Sequence, residues 1–223
     1  MARLARVVVP GLPHHITQRG NRRQRTFFCD EDYVAYMELM AEWCRQRGVE
    51  IWAYCLMPNH VHLMAVPQSA EGLGPAIGEA HCRYTRRVNF REKWRGYLWQ
   101  GRFASYVMDE PYLLAAARYV ELNPVRAGLA LDAADWPWSS ARAHLSGCDD
   151  RLARVAPMLA MVADWRGLLN SGIAEEDLRE LREHGRTGCP LGNATFLDRL
   201  ERAFGRIVRP RRAGRPSKLL KQP

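Results

Sequence analysis

Two histidines separated by a single residue, His60 and His62, are the side chains of this sequence best placed to bind a metal ion. Successive side chains of a β-strand point to opposite faces, so both imidazoles of a strand H-x-H lie on one face, about 6.6 Å apart along the chain. Imidazole nitrogens are common ligands of metal ions. An isolated H-x-H triplet also arises by chance, and two ordinary strand histidines are the competing interpretation.

Tyr119 and Asn123 add a second pair, because they stand four positions apart in a segment with a helical pattern. Residues i and i+4 of a helix share a face one turn apart. The amide oxygen of Asn123 could complete a three-ligand site with His60 and His62, and Mg²⁺ or Mn²⁺ suits these ligands once a phosphodiester fills the open positions. A tyrosine hydroxyl, whose ordinary pKa is about 10, needs such a polarised phosphate or a nearby base to attack at neutral pH. The four residues together would allow attack of Tyr119 on a phosphodiester, and a structural role for the tyrosine is the alternative.

The charge of the chain favours a polyanionic partner. The 33 lysines and arginines outnumber the 24 acidic residues, which gives a net charge of +9. Nucleic acid is the first expectation and an anionic membrane surface the second. The candidate phosphate-binding residues lie in a basic turn and near the end of a predicted helix, with a solvated surface as the alternative for each: Arg19, Arg22, Arg23 and Arg25, then Arg83, Arg86 and Arg87.

Several classes of protein are not expected from this composition. No apolar run approaches the roughly 20 residues of a membrane span. The first ten residues are interrupted by arginine and do not read as a secretory signal, so a cytoplasmic location is expected. The six cysteines form no C-x-x-C pair, which indicates reduced thiols and no zinc knuckle or redox pair.

The elements that must position the candidate residues follow from hydrophobic periodicity and turn signals. The segments alternate as strand, helix, strand, strand, helix, strand and helix, which predicts an α+β ferredoxin-like (RRM-like) sandwich with an antiparallel sheet. In chain order they are residues 14–18, 30–47, 49–56, 60–66, 70–89, 103–108 and a helix that begins at Glu110-Pro111 and finishes near Asn123-Pro124.

A change of composition near residues 146–150 marks the end of this unit. We expect a catalytic domain over residues 1–147, a helical C-terminal extension over 148–205 that includes a helix capped by Asn193, and a basic tail without fixed structure over 206–223. Within the tail, residues 211–216 resemble an AT-hook with Ala213 in place of the usual arginine. Arg212 and Arg215 are its candidate minor-groove contacts, and a solvated basic terminus is the alternative.

Four motifs together resemble the REP-associated tyrosine transposases and their insertion-sequence relatives, which are single-tyrosine HUH nucleases. In order and spacing they are PHHITQRGN at 13–21, LMPNHVHL at 56–63, YVELNPVRAG at 119–128 and WPWSS at 136–140. The resemblance implies a ferredoxin-like fold, metal binding by His60 and His62, a nucleophilic Tyr119 and Asn123 as a polar third ligand. The third ligand varies between branches of such nucleases, so Asn123 is the least firmly matched of the four.

The same resemblance implies a transposase that acts on single-stranded or hairpin DNA from palindromic repeats. The tyrosine would form a 5′-phosphotyrosine link and release a 3′-hydroxyl that can later rejoin strands. The protein would work as a monomer or a homodimer, with no membrane partner. Three alternatives remain at this stage. They are a replication initiator or relaxase with the same chemistry, a DNA-binding protein that kept the fold without cleavage, and a cyclic phosphodiesterase, whose paired H-x-T motif is met by His15-Ile16-Thr17 but lacks its second copy.

Overall fold

The computed structural model describes residues 6–209 of the chain. Its centre is an antiparallel sheet in the spatial order β2-β3-β1-β4. Its strands are β1 His14–Arg19, β2 Val49–Met57, β3 His60–Pro67 and β4 Ala104–Val107. Helix α1 Asp30–Gln46 connects β1 to β2, α2 Leu73–Glu92 connects β3 to β4, and α3 Glu110–Glu121 follows β4. This order confirms the predicted ferredoxin-like sandwich.

The two faces of the sheet bury different sets of side chains, because neighbouring residues of a strand point in opposite directions. One face carries Ile16, Val61 and Leu63, which pack in one cluster with apolar residues of α1 and α2. The other face carries Met64 and Tyr106, which pack with α3 and with helices from the later part of the chain. Since His60 and His62 alternate with Val61 and Leu63, they lie on this second face, beside α3.

The end of α3 differs from the prediction that Tyr119 and Asn123 share one helix. Helix α3 stops at Glu121, Leu122 intervenes with φ −84° and ψ 0°, and Asn123 begins the short helix α4 Asn123–Arg126. Pro124 explains the break, because proline has no N–H to donate to the carbonyl four residues earlier. The two candidate residues are therefore not one turn apart on a continuous helix.

The C-terminal extension is helical, as its pattern predicts, and packs against the sheet. Helix α5 Ala141–Ser146 lies just before this extension, and the helices of the extension itself are α6 Ala156–Leu159, α7 Trp165–Asn170, α8 Glu175–Thr187 and α9 Ala194–Phe204. The side chain of Asn193 caps α9 by accepting from the Phe196 amide at 2.9 Å. Phe196 and Leu200 then pack in one cluster with Val107 of β4.

The first residues of the expected basic tail belong to the packed structure. Val208 is buried in the cluster that holds Phe196 and Leu200, and Arg209 donates to Asp198 at 2.6 Å. Residues 206–209 thus differ from the expectation of a tail without fixed structure. Arg212, Arg215 and the AT-hook-like segment lie outside the described residues. Within residues 6–209, no helix has the length and apolar character needed to cross a membrane.

Candidate active site

A cavity of about 610 Å³ lies on the α3 side of the sheet and brings together most of the residues singled out for chemistry. His60, His62 and Tyr119 all line it. Its other lining residues are mainly polar or basic and come from β1, the turn after β1, the segment before β4, and α8: His15, Thr17, Gln18, Arg19, Arg23, Gln100, Arg102, Arg182 and Arg186 among them. Positive charge around the histidines and the tyrosine suits a phosphate-bearing ligand.

The two histidines of β3 have their rings 5.1 Å apart between centroids. The Nδ1 atom of His60 lies 2.6 Å from the side-chain oxygen of Asn59. Because that oxygen can only accept, His60 carries its proton on Nδ1 and leaves a lone pair on Nε2. The Nδ1 atom of His62 lies 2.9 Å from Nε2 of His15 on the neighbouring strand.

The histidines of the site are neutral at physiological pH, which is the form that binds a metal ion. Burial lowers the pKa of His60 to about 4, and the positive charge of Arg19 adds to the effect. Burial also holds the pKa of His62 well below its usual value, with smaller contributions from the nearby rings of His15 and His60 and from Arg19 and Arg126. The pKa of His15 falls to about 3 through burial alone.

Tyr119 presents its ring to this pair of histidines from the last turn of α3. The ring meets that of His62 edge to face, with centroids 5.6 Å apart. On another side the guanidinium carbon of Arg126 lies 4.3 Å from the centroid of the phenol ring. Arg126 also donates to the backbone carbonyl of Tyr119 at 3.3 Å. The nucleophile candidate is therefore held by α4 as well as by its own helix.

The side chains present fit a divalent ion with two imidazole ligands and further oxygen ligands. No cluster of three or more His, Cys, Asp or Glu side chains suited to a metal ion occurs within residues 6–209. Beyond His60 and His62, the ligands would have to come from an amide, water or substrate. Asn123 is buried, its Nδ2 atom lacks a hydrogen-bond partner, and it is not among the residues that line the cavity.

Only some of the predicted phosphate-binding arginines lie at the cavity. Arg19 and Arg23 line the cavity, whereas Arg22 and Arg25 are exposed in the same turn without lining it. The arginines of α2 lie on the opposite side of the sheet from the histidines, since α2 packs with the other face. There Arg83 sits over the ring of Trp43, 4.9 Å from its centroid, and Arg86 lines a separate cavity.

Other residues of the site were missed by reasoning from the sequence. Arg182 and Arg186 reach the cavity from α8, about 60 positions after Tyr119, and no local pattern links the two segments. His15 was considered only as half of an H-x-T pair. Its side chain is 2% exposed, and both ring nitrogens are hydrogen-bonded, to Tyr106 and His62. This arrangement leaves His15 no free nitrogen for a phosphate and argues against the cyclic phosphodiesterase.

A buried carboxyl group anchors α3 two residues after Tyr119. Glu121 is completely buried and accepts three hydrogen bonds. They come from the Ser140 hydroxyl at 2.5 Å, His144 Nδ1 at 2.6 Å and Trp165 Nε1 at 2.8 Å. The WPWSS motif therefore supplies one of the donors, Ser140, that fix the C-terminal end of α3.

The known proteins that this chain resembles agree with one another in the family to which they are assigned. A REP-associated tyrosine transposase of Escherichia coli is 21% identical over 120 residues, which span 53% of this chain and 70% of that protein. A Haemophilus influenzae protein assigned to the same group is 28% identical over 136 residues, 56% of this chain and 75% of its own. A solved structure, described as a REP-associated tyrosine transposase bound to a REP hairpin, shares the fold with a TM-score of 0.57 at 21% identity, covering 69% of this chain and 92% of the other.

The sequence profile of the family described as "Transposase IS200 like" matches residues 8–123. That segment is more than half of the 223 residues and contains His60, His62 and Tyr119. The protein therefore belongs to the IS200-like transposase family, and it is a transposase.

Proposed function

We propose that this transposase cuts and rejoins one strand of DNA through Tyr119, with a divalent metal ion, Mg²⁺ or Mn²⁺, held by His60 and His62. The observation that supports the proposal is the meeting of these three side chains in one arginine-lined cavity. Its substrate would be single-stranded or hairpin DNA from palindromic repeats, since the relative that shares the fold is described as bound to a REP hairpin. With such a substrate the protein would act in the cytoplasm, on chromosomal DNA.

The cleavage step exchanges one phosphoester bond for another. The Tyr119 hydroxyl oxygen bonds to phosphorus as the bond from phosphorus to the 3′ oxygen breaks. The phenol loses its proton and the departing 3′ oxygen gains one, which leaves a 5′-phosphotyrosine link and a free 3′-hydroxyl. Attack by a 3′-hydroxyl on the link reverses the exchange and rejoins a strand. Because the number of phosphoester bonds is unchanged, no external energy source is needed.

Each group of the cavity has a role in this scheme. When bound, the metal ion polarises the scissile phosphate. His60 and His62 would hold that ion as neutral imidazoles. Asn123 is buried and does not line the cavity, so it would have to approach the site to supply its amide oxygen as the proposed third ligand. The ring contacts of His62 and Arg126 with Tyr119 restrict where its hydroxyl can lie. Correct placement of a nucleophile accounts for a large part of the rate that an enzyme gains.

The arginines around the histidines are proposed to bind the DNA backbone. Arg19 and Arg23 approach the cavity from the sheet side, and Arg182 and Arg186 approach from α8. Arginine binds phosphate oxygens with paired N–H groups and keeps its charge at all relevant pH values. This arrangement would put the DNA strand between the sheet and α8, over the two histidines.

A covalent trapping experiment tests the proposal. The protein is incubated with Mn²⁺ and a labelled oligonucleotide that carries a hairpin, and the products are separated on a denaturing gel. We expect a labelled protein band for the wild type and none for Tyr119→Phe. Tyr97→Phe is the matched control, because Tyr97 is 86% exposed and does not line the cavity.

The outcomes separate the competing functions. A protein band that persists in Tyr119→Phe would exclude Tyr119 as the nucleophile. Hairpin binding without any covalent band, in either Mg²⁺ or Mn²⁺, would favour a DNA-binding protein that kept the fold. Preference for the unpaired strand of a replication origin over palindromic hairpins would favour an initiator-type nuclease.

A further inference from the structure

His15, Tyr106 and a backbone carbonyl of α8 form a chain of hydrogen bonds that ends on His62. His15 and Tyr106 are directly opposite each other in the β1–β4 pair, and both side chains are at most 2% exposed. The Nδ1 atom of His15 lies 2.8 Å from the Tyr106 hydroxyl oxygen. Its Nε2 atom lies 2.9 Å from His62 Nδ1. The Tyr106 hydroxyl in turn donates to the carbonyl of Leu181, at 3.4 Å.

The protons of this chain can be placed by following its donors and acceptors. The Leu181 carbonyl can only accept, and although its contact with Tyr106 is longer than that of His15, 3.4 Å against 2.8 Å, we assign the single Tyr106 proton to it. The Tyr106 oxygen then accepts from His15, which puts the proton of this neutral ring on Nδ1. Nε2 of His15 is left as an acceptor, and it takes the hydrogen bond from His62 Nδ1. With its proton on Nδ1, His62 carries a lone pair on Nε2.

The reverse direction of the chain would disable His62 as a ligand. If Tyr106 donated to His15, the proton of His15 would move to Nε2 and His62 would have to accept at Nδ1. The proton of His62 would then sit on Nε2 and block the nitrogen that faces away from His15. This arrangement also loses the 3.4 Å contact of the Tyr106 hydroxyl with the Leu181 carbonyl.

We propose that His15 and Tyr106 are positioning residues that hold His62 in the tautomer with a free Nε2, ready for the metal ion. The inference rests on the metal-dependent function proposed above. Histidine ligands of metal sites commonly have their second nitrogen bonded to a fixed partner, which sets both tautomer and ring orientation. Asn59 does the same for His60 through its side-chain oxygen. Both rings of the H-x-H pair are thus prepared in one tautomer by two different partners.

The inference gives the C-terminal extension a part in the metal site. Leu181 belongs to α8, whereas His15, His62 and Tyr106 belong to the sheet. The carbonyl of Leu181 is the fixed acceptor that gives the chain its direction. A displacement of α8 would therefore reach His62 through two intervening side chains.

The first test measures the tautomers in the protein without metal or DNA. Proton–nitrogen correlation spectra of ¹⁵N-histidine-labelled protein distinguish a ring protonated at Nδ1 from one protonated at Nε2. We expect His15 and His62 both to be protonated at Nδ1. In Tyr106→Phe the acceptor for His15 is lost, and we expect the proton of His62 to shift toward Nε2. A wild-type His62 protonated at Nε2 would overturn the proposal.

The second test measures Mn²⁺ affinity by calorimetry in the absence of DNA. Loss of such a supporting partner typically weakens metal binding by about 10–100-fold, and we expect that range for His15→Gln and Tyr106→Phe. Tyr36→Phe is the matched control. It removes an equally buried Tyr–His hydrogen bond, the 2.9 Å contact between Tyr36 and His81, on the other face of the sheet.

The two measurements keep the proposal distinct from the function on which it rests. Equal Mn²⁺ affinity in Tyr106→Phe, Tyr36→Phe and the wild type would overturn the role of the chain in metal binding. If the wild type bound no Mn²⁺ either alone or with the hairpin, the metal-dependent function would fail, while the spectra would still show whether His15 sets the tautomer of His62.

Discussion

The phenol ring of Tyr119 stands edge to face against the imidazole of His62, with an angle of 82° between the ring planes. One residue comes from the sheet and the other from the helix that follows it, so their contact depends on how α3 packs. An ion on the far nitrogen of His62 and a hydroxyl on Tyr119 could then act on the same phosphate.

The histidine pair should be required for cleavage and much less for DNA binding. We expect His62→Ala to reduce Mn²⁺-dependent cleavage by at least about 100-fold, because loss of even an outer partner of a metal ligand costs about 10–100-fold. Hairpin affinity, measured by fluorescence anisotropy, should change by less than about 3-fold since the arginines supply most of it. His14→Asn, on the opposite face of β1, serves as the control. Equal losses of cleavage in both variants would contradict the assignment.

The arginines of α8 should contribute to DNA affinity more than those of α2. Replacing Arg182 and Arg186 with alanine removes two charges from the cavity, so hairpin affinity should fall and its salt dependence should flatten by about 1.4 in logarithmic slope, at roughly 0.7 per single-strand phosphate. The comparison variant replaces Arg83 and Arg87 on the other side of the sheet. A larger effect of the α2 pair would place the DNA on that side instead.

Acid should destabilise the fold over a range set by its buried histidines. Burial lowers the pKa of His81 to about 3 and that of His14 to about 4. Below the unfolded value of about 6.5, the unfolded chain binds protons that the folded protein does not, so the free energy of unfolding falls as the pH decreases toward these values.

Each such histidine contributes a slope of about 1.4 kcal/mol per pH unit within its range. We therefore expect His81→Gln to reduce the pH dependence of the free energy of unfolding by about 1.4 kcal/mol per pH unit, which corresponds to one proton. Urea unfolding between pH 6.5 and 4 measures this slope. His81 is a suitable choice, since burial alone lowers its pKa and its ring contacts are with Tyr36, Trp99 and Phe103. An unaltered slope would show that His81 titrates normally in the folded protein.

The hydrogen bond from Trp165 to Glu121 should matter for both stability and activity. Trp165→Phe keeps an aromatic ring against His144, with which Trp165 stacks at 4.1 Å, but leaves one buried carboxyl oxygen without its donor. A buried polar group without a partner costs about 1–3 kcal/mol, and more when it is charged. Urea unfolding should show this loss, and cleavage should decrease while Mn²⁺ affinity stays within about 2-fold. A variant as stable as the wild type would show that the hydrogen bond from Trp165 to Glu121 does not stabilise the fold.

Much of the core fold could be predicted because its signals are local. The stripe of Tyr33, Tyr36, Met40 and Trp43 identified α1, and all four are buried. The H-x-H pair was placed on the correct strand by alternation and by the Pro58-Asn59 turn. Glu110-Pro111 marked the start of α3, where Asp109 caps the helix by accepting from the Tyr112 amide. In each case the residues that decide the structure stand within a few positions of one another.

The rest of the site depends on contacts between distant segments. His15 and His62 are 47 positions apart, and Tyr106 and Leu181 are 75 apart. No periodicity within either segment shows that they meet. The error over Tyr119 and Asn123 had a local cause, because Pro124 divides what spacing alone suggested was one helical face. The charge of the α2 arginines makes them candidates for phosphate binding, but charge does not show on which side of a sheet a helix will lie.

The hydrogen-bond donors that anchor Glu121 are synthesised later than Glu121 itself. When a growing chain has emerged from the ribosome as far as residue 130, it already contains both histidines of β3 and Tyr119. The donors that Glu121 needs are at positions 140, 144 and 165 and have yet to appear. The hydrogen bonds that anchor the C-terminal end of α3 can form only after these residues have been synthesised. An unfinished chain thus carries the proposed nucleophile and metal ligands before the hydrogen bonds that anchor the end of α3 can form.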